Sequence, residues 1–435
     1  MSDDELMKKV LMVAFHYPPY EGGSGVHRTL KFSRYLPENG WQPIVLSAQP
    51  KAYPQIGKEQ LQQIPADMIV KRAFALDTAR HLSIRGRYLR FMALPDLWIS
   101  WWIDAVRAGL ALVRRERPDI LWSTYPIATA HLIGLTLHRL TGLPWFADFR
   151  DSMTEDNYPR DPLTRRSYLW IERKTVKYAS RLIFTTPSTK QMYLDRYPHL
   201  SGHCCVVIPN GYDEEDFAGI DAAQIATNGR AIRLLHAGVI YTDDRDPRAF
   251  FRALSRLKAE GAISSQSVLI DLRASGSENF YASLLKELRI DDLVRLLPAL
   301  PYRQALADCA KADAFLLFQA ASCNHQIPAK LYEYMRLGKP ILGLTPANGD
   351  TGKLLIDVGG STVVDLADED AIYQAVPIFL RSILDRTYTL PNAEQVLRYS
   401  RKYQAAQLAA SLSEIALQNS PEKQSSVASR ANRPA

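Results

Sequence analysis

Short apolar runs alternate with helix-length amphipathic stretches along most of this chain, and the alternation stops and restarts once near the middle. Strand, helix, strand is the unit of a parallel sheet with helices packed on its faces, so this order excludes all-α and all-β architectures. The first block opens on Val10-Leu11-Met12-Val13-Ala14-Phe15, followed by a helix over residues 29–39 and a strand over 43–47. Helices over 101–117, 128–140, 163–178 and 188–196 then alternate with strands over 119–123, 144–148, 181–185 and 205–208. Residues 214–230 are polar and aperiodic and read as a linker. The second block places strands over 232–237, 268–274, 294–297 and 314–319 between helices over 248–260, 279–288 and 302–311. One amphipathic helical run covers 393–417, and the tail beyond Asn419 has too few apolar residues to fold. The expected fold class is therefore α/β, with two doubly wound, Rossmann-like domains facing a cleft.

A length of 435 residues suits two or three domains, and 47% hydrophobic with 23% charged residues is the composition of an ordinary globular protein. The four cysteines, Cys204, Cys205, Cys309 and Cys323, have no metal-ligand spacing, and adjacent Cys204-Cys205 cannot close an ordinary disulfide. A reducing, cytoplasmic setting is expected. The acidic start runs straight into a strand, unlike a signal peptide, and no apolar run reaches the roughly 18–20 residues of a spanning helix.

Ligands of α/β proteins bind beyond the C-terminal ends of parallel strands, so the polar residues at those ends are the candidates. In IPAKLYEYMRLGKPILGL, residues 327–344, Leu331, Tyr334, Met335 and Leu337 form the inward face of a short helix carrying Lys330 and Glu333, which breaks at Gly338. The competing reading is a surface helix whose charged pair only stabilises its end. After the first strand, residues 16–28 contain Gly22, Gly23 and Gly25 before a helix; glycines admit close backbone approach and a helix N-terminus favours negative charge. The strand ending at Asp148 empties into Phe149-Arg150-Asp151, two carboxylates around one guanidinium, which serves either a ligand or a loop-pinning ion network. His16 and His27 near the glycine turn read as structural.

Charge is uneven. The net charge is +7, and residues 80–117 hold eight arginines, no lysine and only Asp96, Asp104 and Glu116, interleaved with Tyr88, Phe91, Trp98, Trp101 and Trp102. An anionic membrane surface and an RNA backbone both favour this mixture. The alternative is a helix pair with core aromatics and solvated arginines. With no stacking sheet or recognised module, nucleic-acid binding is not expected.

The landmarks in order resemble a retaining, family 4-type glycosyltransferase of the GT-B fold over residues 9–417. They are Gly22-Gly23 with Arg28, Ala147-Asp148-Phe149-Arg150-Asp151, Ile208-Pro209-Asn210-Gly211-Tyr212-Asp213, the 238–247 loop and residues 327–344. The D-F-R-D and K-L-Y-E-Y-M variants resemble transferases that build bacterial surface polysaccharides. The resemblance implies an N-terminal acceptor domain over 1–213, a donor domain over 231–392, a helix over 393–418 crossing back to the first domain, and a disordered tail over 419–435. It implies that Glu333 holds the donor ribose, that Arg245 and Lys330 lie near the diphosphate, and that residues 298–302, Pro301 among them, hold the base through backbone. Gly22, Gly23, Gly238 and His325 complete the donor set, and Asp148, Arg150 and Asp151 are the catalytic candidates, the two Asp orienting the acceptor hydroxyl. Cations and amides aimed at a departing nucleoside diphosphate lower its barrier, so neither a metal nor another cofactor is expected.

Many members of that family carry a second glutamate where this chain has His325, which can hydrogen-bond a hydroxyl but supplies no fixed anion. The implied partners are a nucleotide-sugar, UDP-sugar favoured, a glycan or polyprenyl-linked acceptor, and the inner membrane face through residues 80–117. The implied activity is hexosyl transfer with retention in cell-envelope or exopolysaccharide synthesis. Same-fold alternatives are a sugar-nucleotide epimerase, a phosphorolytic enzyme with lysine-bound pyridoxal, and a non-catalytic partner subunit.

Overall fold

A computed structural model describes residues 7–22, 24–57, 59–221, 230–241 and 245–418. It divides into two units, 1–209 with 401–435, and 210–400. The first is built on a seven-stranded, all-parallel sheet: β1 (Lys8–Val13), β2 (Trp41–Ala48), β3 (Ile69–Ala73), β4 (Ile120–Thr124), β5 (Trp145–Phe149), β6 (Arg181–Phe184) and β7 (Cys205–Val207). Their spatial order is β3-β2-β1-β4-β5-β6-β7, so the direction of winding switches between β1 and β4. Helices cover both faces, which is why the strands read as continuous apolar runs instead of alternating ones. Those helices are α1 (Ser24–Tyr35), the single turn α2 (Thr78–His81), α3 (Trp101–Glu116), α4 (Ala128–Thr141), α5 (Pro162–Tyr178) and α6 (Pro187–Arg196). One face of the sheet packs Leu11, Leu46, Leu121 and Ala147 with Trp101, Leu112, Ile133 and Ile171.

The second unit repeats the plan with six parallel strands: β8 (Ile232–Ala237), β9 (Val268–Arg273), β10 (Val294–Leu297), β11 (Ala314–Phe318), β12 (Ile341–Leu344) and β13 (Ser361–Val364). Their order is β10-β9-β8-β11-β12-β13, with the switch between β8 and β11. Its helices are α7 (Arg248–Ala259), α8 (Glu278–Glu287), α9 (Tyr302–Ala310), α10 (Ala329–Leu337), α11 (Asp350–Val358), α12 (Glu369–Leu384) and α13 (Ala393–Leu397). Two apolar layers sandwich the sheet, one around Phe250, Leu254 and Phe318, the other around Phe315, Tyr332, Tyr334 and Leu355. The last helix, α14 (Arg401–Gln418), belongs to the first unit, where Ala405, Leu408, Leu412 and Ile415 join Val10, Met12 and Leu30 in the core of the sheet's other face. Trp41 Nε1 donates to Ser413 Oγ at 3.0 Å, and Arg181 pairs with Glu414 at 2.8 Å, fixing the C-terminal part of that helix.

Several boundaries differ from the sequence reading. The run over 393–417 is two helices, interrupted at residues 398–400, where Tyr212 and Ser400 form a β-bridge. The first unit ends at Pro209, not at residue 213. Within the expected linker, residues 214–217 form a 3₁₀ turn with Asp216 and Phe217 buried in the second unit's core, and 222–229 lie outside the described residues. The tail over 419–435 lies outside them too. The helix expected over 29–39 starts earlier, at Ser24, so Gly25 sits in its first turn. Strands β3 and β13 were not expected: Ile-Val-Lys-Arg-Ala and Ser-Thr-Val-Val are short, half-buried edge strands with no apolar run. Among the described residues no helix is long and apolar enough to cross a membrane.

Candidate functional site

In the second unit, polar side chains converge where β8 and β11 diverge, the switch point at which doubly wound sheets take ligands. Beyond β8 the chain turns at Gly238, whose φ of 108° is strained for any side chain. A Cβ there would lie 3.0 Å from Lys330 Nζ, so the glycine lets the lysine lie against backbone. Lys330 enters from the first turn of α10, whose other end is closed by Gly338 in the left-handed conformation. Its Nζ donates to His236 Nε2 at 3.0 Å, while His236 Nδ1 donates to the Leu316 carbonyl at 2.9 Å. That second bond leaves Nε2 as the acceptor, and burial with the neighbouring Lys330 charge holds His236 neutral, its pKa far below the usual range.

Burial first and the Arg245 guanidinium second push the Lys330 ammonium down, the Glu333 carboxylate opposes both, and the balance is a pKa of about 7. Arg245 donates to the Val239 carbonyl at 3.1 Å and lies over the Tyr241 ring, 5.3 Å from its centroid. Glu333, one helical turn from Lys330, accepts from the Tyr302 hydroxyl at 2.8 Å. Two cations, one oriented carboxylate and a tight glycine turn are the parts needed to hold a diphosphate with an adjoining diol.

The corresponding switch point of the first unit, between β1 and β4, is built around Arg28 of α1. Its Nε and Nη2 donate to the two Asp148 oxygens at 3.0 and 2.9 Å, and its remaining donors reach the Pro209 and Ile208 carbonyls at 2.8 and 3.0 Å. Asp148 also accepts from Thr124 Oγ1 at 3.0 Å. Both partners of this pair are fully buried. Arg150 is 8% exposed, donates to the Tyr125 carbonyl at 3.4 Å, and has no hydrogen-bond partner at Nε among the described residues. A Cβ on Gly25 would overlap its guanidinium, so the first turn of α1 and Arg150 require each other. Burial lowers the Arg150 pKa, against Asp151 and Asp148. His16, stacked on Tyr20 at 4.5 Å, is held neutral with a pKa of about 3 by burial and Arg150. Asp151 alone of the D-F-R-D group faces solvent.

Gly238, Arg245, Lys330 and Glu333 thus come together, and Pro301 caps the helix that supplies Tyr302. His325 lies in the loop between β11 and α10, where Asp350 N bonds the Asn324 carbonyl at 2.8 Å and Thr351 bonds the Gln326 carbonyl at 2.8 Å. Gly22 packs on the Tyr20 ring, and Gly23 lies outside the described residues. Asp148 departs from its expected role. Its oxygens are consumed by Arg28 and Thr124, so it sets the guanidinium in place and has no face left for an acceptor hydroxyl. His236 and Thr124 were missed in the sequence, and Tyr302 stood there only within the 298–302 base segment, not as the partner of Glu333; His236, next to last in the strand Ile-Arg-Leu-Leu-His-Ala, was visible as a polar residue at its C-terminal end.

Residues 22–211 match the glycosyl transferase 4-like domain family. No curated protein matches the sequence. Among solved structures, α,α-trehalose 6-phosphate synthase from Burkholderia multivorans is 11% identical over 99% of this chain and 100% of its own, with a TM-score of 0.65. Sucrose-phosphate synthase from Thermosynechococcus elongatus is 15% identical over 94% and 99%, with a TM-score of 0.60. Anabaena HepE, crystallised with UDP-glucose, is 13% identical over 93% and 99%, also at 0.60. At such identities the likeness is one of fold. Residues 22–211 are thus similar to the glycosyl transferase 4-like domain, and the chain as a whole has the GT-B fold of these structures.

Proposed function

We propose that the chain transfers a hexose from a nucleoside-diphosphate donor, a UDP-sugar by preference, to a glycan or polyprenyl-linked acceptor, with retention of anomeric configuration, in cell-envelope or exopolysaccharide synthesis. The observation that carries this reading is the Lys330–Glu333 pair on α10 facing Gly238 and Arg245. Glu333, oriented by Tyr302, would accept from the ribose hydroxyls; Lys330 and Arg245 would take the diphosphate and stabilise the charge that grows on it as the glycosidic bond breaks. The UDP-glucose held by HepE, a protein of the same fold, is of the donor class proposed.

In the first unit, Asp151 would accept from the acceptor hydroxyl, positioned by the buried Arg28–Asp148–Arg150 group. With retention, the leaving phosphate itself takes the acceptor proton, so Asp151 orients instead of deprotonating. The exposed, arginine-rich part of residues 80–117 would bring the enzyme to the cytoplasmic membrane face, where a polyprenyl acceptor resides. Thermal shift with UDP, GDP, ADP and CMP on wild type and Glu333→Ala tests the donor site. A nucleotide held near 100 times its Kd adds about 2.7 kcal/mol to wild type and should add much less to the variant. No shift with any of the four would defeat the reading.

A further inference from the structure

Helix α5 has two faces of opposite kind. Tyr168, Ile171, Thr175 and Val176 are buried, together with Glu172, the helix's single acid, which is bonded to Thr154, Tyr193, Arg196 and Tyr197. On the other face an open groove of about 550 Å³ runs between Arg165, Arg166, Trp170, Arg173, Lys174 and Lys177. Arg165 is spent on the Tyr158 and Glu155 carbonyls, but Arg166, Arg173, Lys174 and Lys177 pair with no carboxylate among the described residues. A row of like charges repels at a spacing of four, as between Arg173 and Lys177, so it destabilises the helix unless an anion lies over it. Trp170, 51% exposed, stands among these cations with the Lys174 ammonium 5.9 Å from its ring, and Leu163 is 46% exposed at the helix start.

A second feature is fastened to the same helix. Asp161 caps α5 by accepting from Thr164 N at 2.8 Å and also pairs with Arg90, at the edge of an exposed stretch, residues 84–91. Its tip is a tight turn: Ile84 and Arg87 bond each other's backbone, with Arg85 and Gly86 between them at φ of 52° and 77°. Ile84, Leu89 and Phe91 are 80%, 62% and 69% exposed.

We propose that the outer face of α5 and the 84–91 turn form one docking surface for a bilayer of anionic phospholipid. The cations meet headgroup phosphates, and Trp170 with the apolar tips enters the interface. A soluble polyanion satisfies only the charges and leaves those apolar side chains wet, which is why the bilayer is favoured. The inference rests on the lipid-linked acceptor of the proposed function but shifts the electrostatic contact to α5, outside residues 80–117.

The test is flotation of the full chain with vesicles of equal phosphatidylglycerol and phosphatidylcholine, or of phosphatidylcholine alone. Wild type should float with the first only. Arg166→Glu/Arg173→Glu/Lys177→Glu should weaken that binding about a hundredfold, and Trp170→Phe should remove a share of the tryptophan quenching by brominated lipid. Equal binding to both vesicles, no binding, or an unaffected triple variant overturns the proposal. So does binding of dextran sulfate, insensitive to Trp170→Ala, in place of vesicle binding. The UDP thermal shift of the triple variant, expected to equal wild type, shows that it is folded. Vesicle binding without any UDP shift would sink the donor reading and leave the docking surface standing.

Discussion

Lys330 is pulled two ways, since burial and Arg245 oppose its protonation while Glu333 favours it, and the balance leaves it at about 7. A depressed lysine pKa means that the ammonium is complete only below pH 7 and fades as pH rises through it. A site that needs that charge to hold a diphosphate should therefore bind UDP more weakly at high pH, with Kd at pH 8.5 on the order of tenfold above that at pH 6.5. Calorimetry at the two pH values measures this, and Lys330→Arg, always charged, should flatten the profile. A flat wild-type profile would remove Lys330 from the phosphate site. The Arg28–Asp148 pair allows a second expectation. Asp148→Ala strands a buried guanidinium and should cost about 3–5 kcal/mol, whereas Arg28→Met with Asp148→Leu should cost much less. Urea denaturation of both would show it, and equal losses would contradict it. Sequence alone brought D-F-R-D to the right strand end but could not sort its members: β5 is buried on both faces, so the usual in–out alternation that would separate a structural Asp148 from an exposed Asp151 is erased.

Elements were legible where an apolar run or a helical stripe was strong. Helices α3, α5 and α10 and strands β1, β5 and β11 are read almost to their ends, because each buries a long apolar side against the sheet. Edge strands β3 and β13 were not, since half their side chains meet solvent and carry no pattern. The start of α1 was misplaced for a tertiary reason: Gly25 reads locally as a turn, yet it lies in the helix, and it is glycine because the Arg150 guanidinium occupies the space a side chain would need. The turn between β8 and α7, proposed to hold the donor, offers a sharper test of element geometry. Gly238→Ala forces a φ near 108° on a residue with a Cβ and sets that carbon 3.0 Å from Lys330 Nζ. Stability should fall by about 1–2 kcal/mol, and UDP affinity should fall further as the lysine is displaced. Parallel melting and UDP titration separate the two, and unchanged affinity would mean that the ammonium lies elsewhere when UDP is bound.

At the scale of the whole molecule, each unit owns its core: Leu11, Trp101 and Trp145 serve one sheet, Phe250, Leu254 and Phe318 the other. The division into two α/β blocks was legible because alternation restarts after an aperiodic stretch. The placing of the boundaries was not, because Asp216 and Phe217 sit in polar sequence yet are buried, and nothing local marks Arg401 as the start of a helix of the first unit. With separate cores, ligand stabilisation has no reason to spread uniformly. The groups proposed to hold the donor, Gly238, Arg245, Lys330 and Glu333, all belong to the second unit. Hydrogen exchange of the full chain with and without saturating UDP should therefore show protection centred on residues 238–241 and 329–337. The amides of β1, β4 and β5, whose opening is governed by the other core, should change little. Protection appearing first at residues 148–151 would place the nucleotide in the first unit and reverse the assignment of donor and acceptor ends.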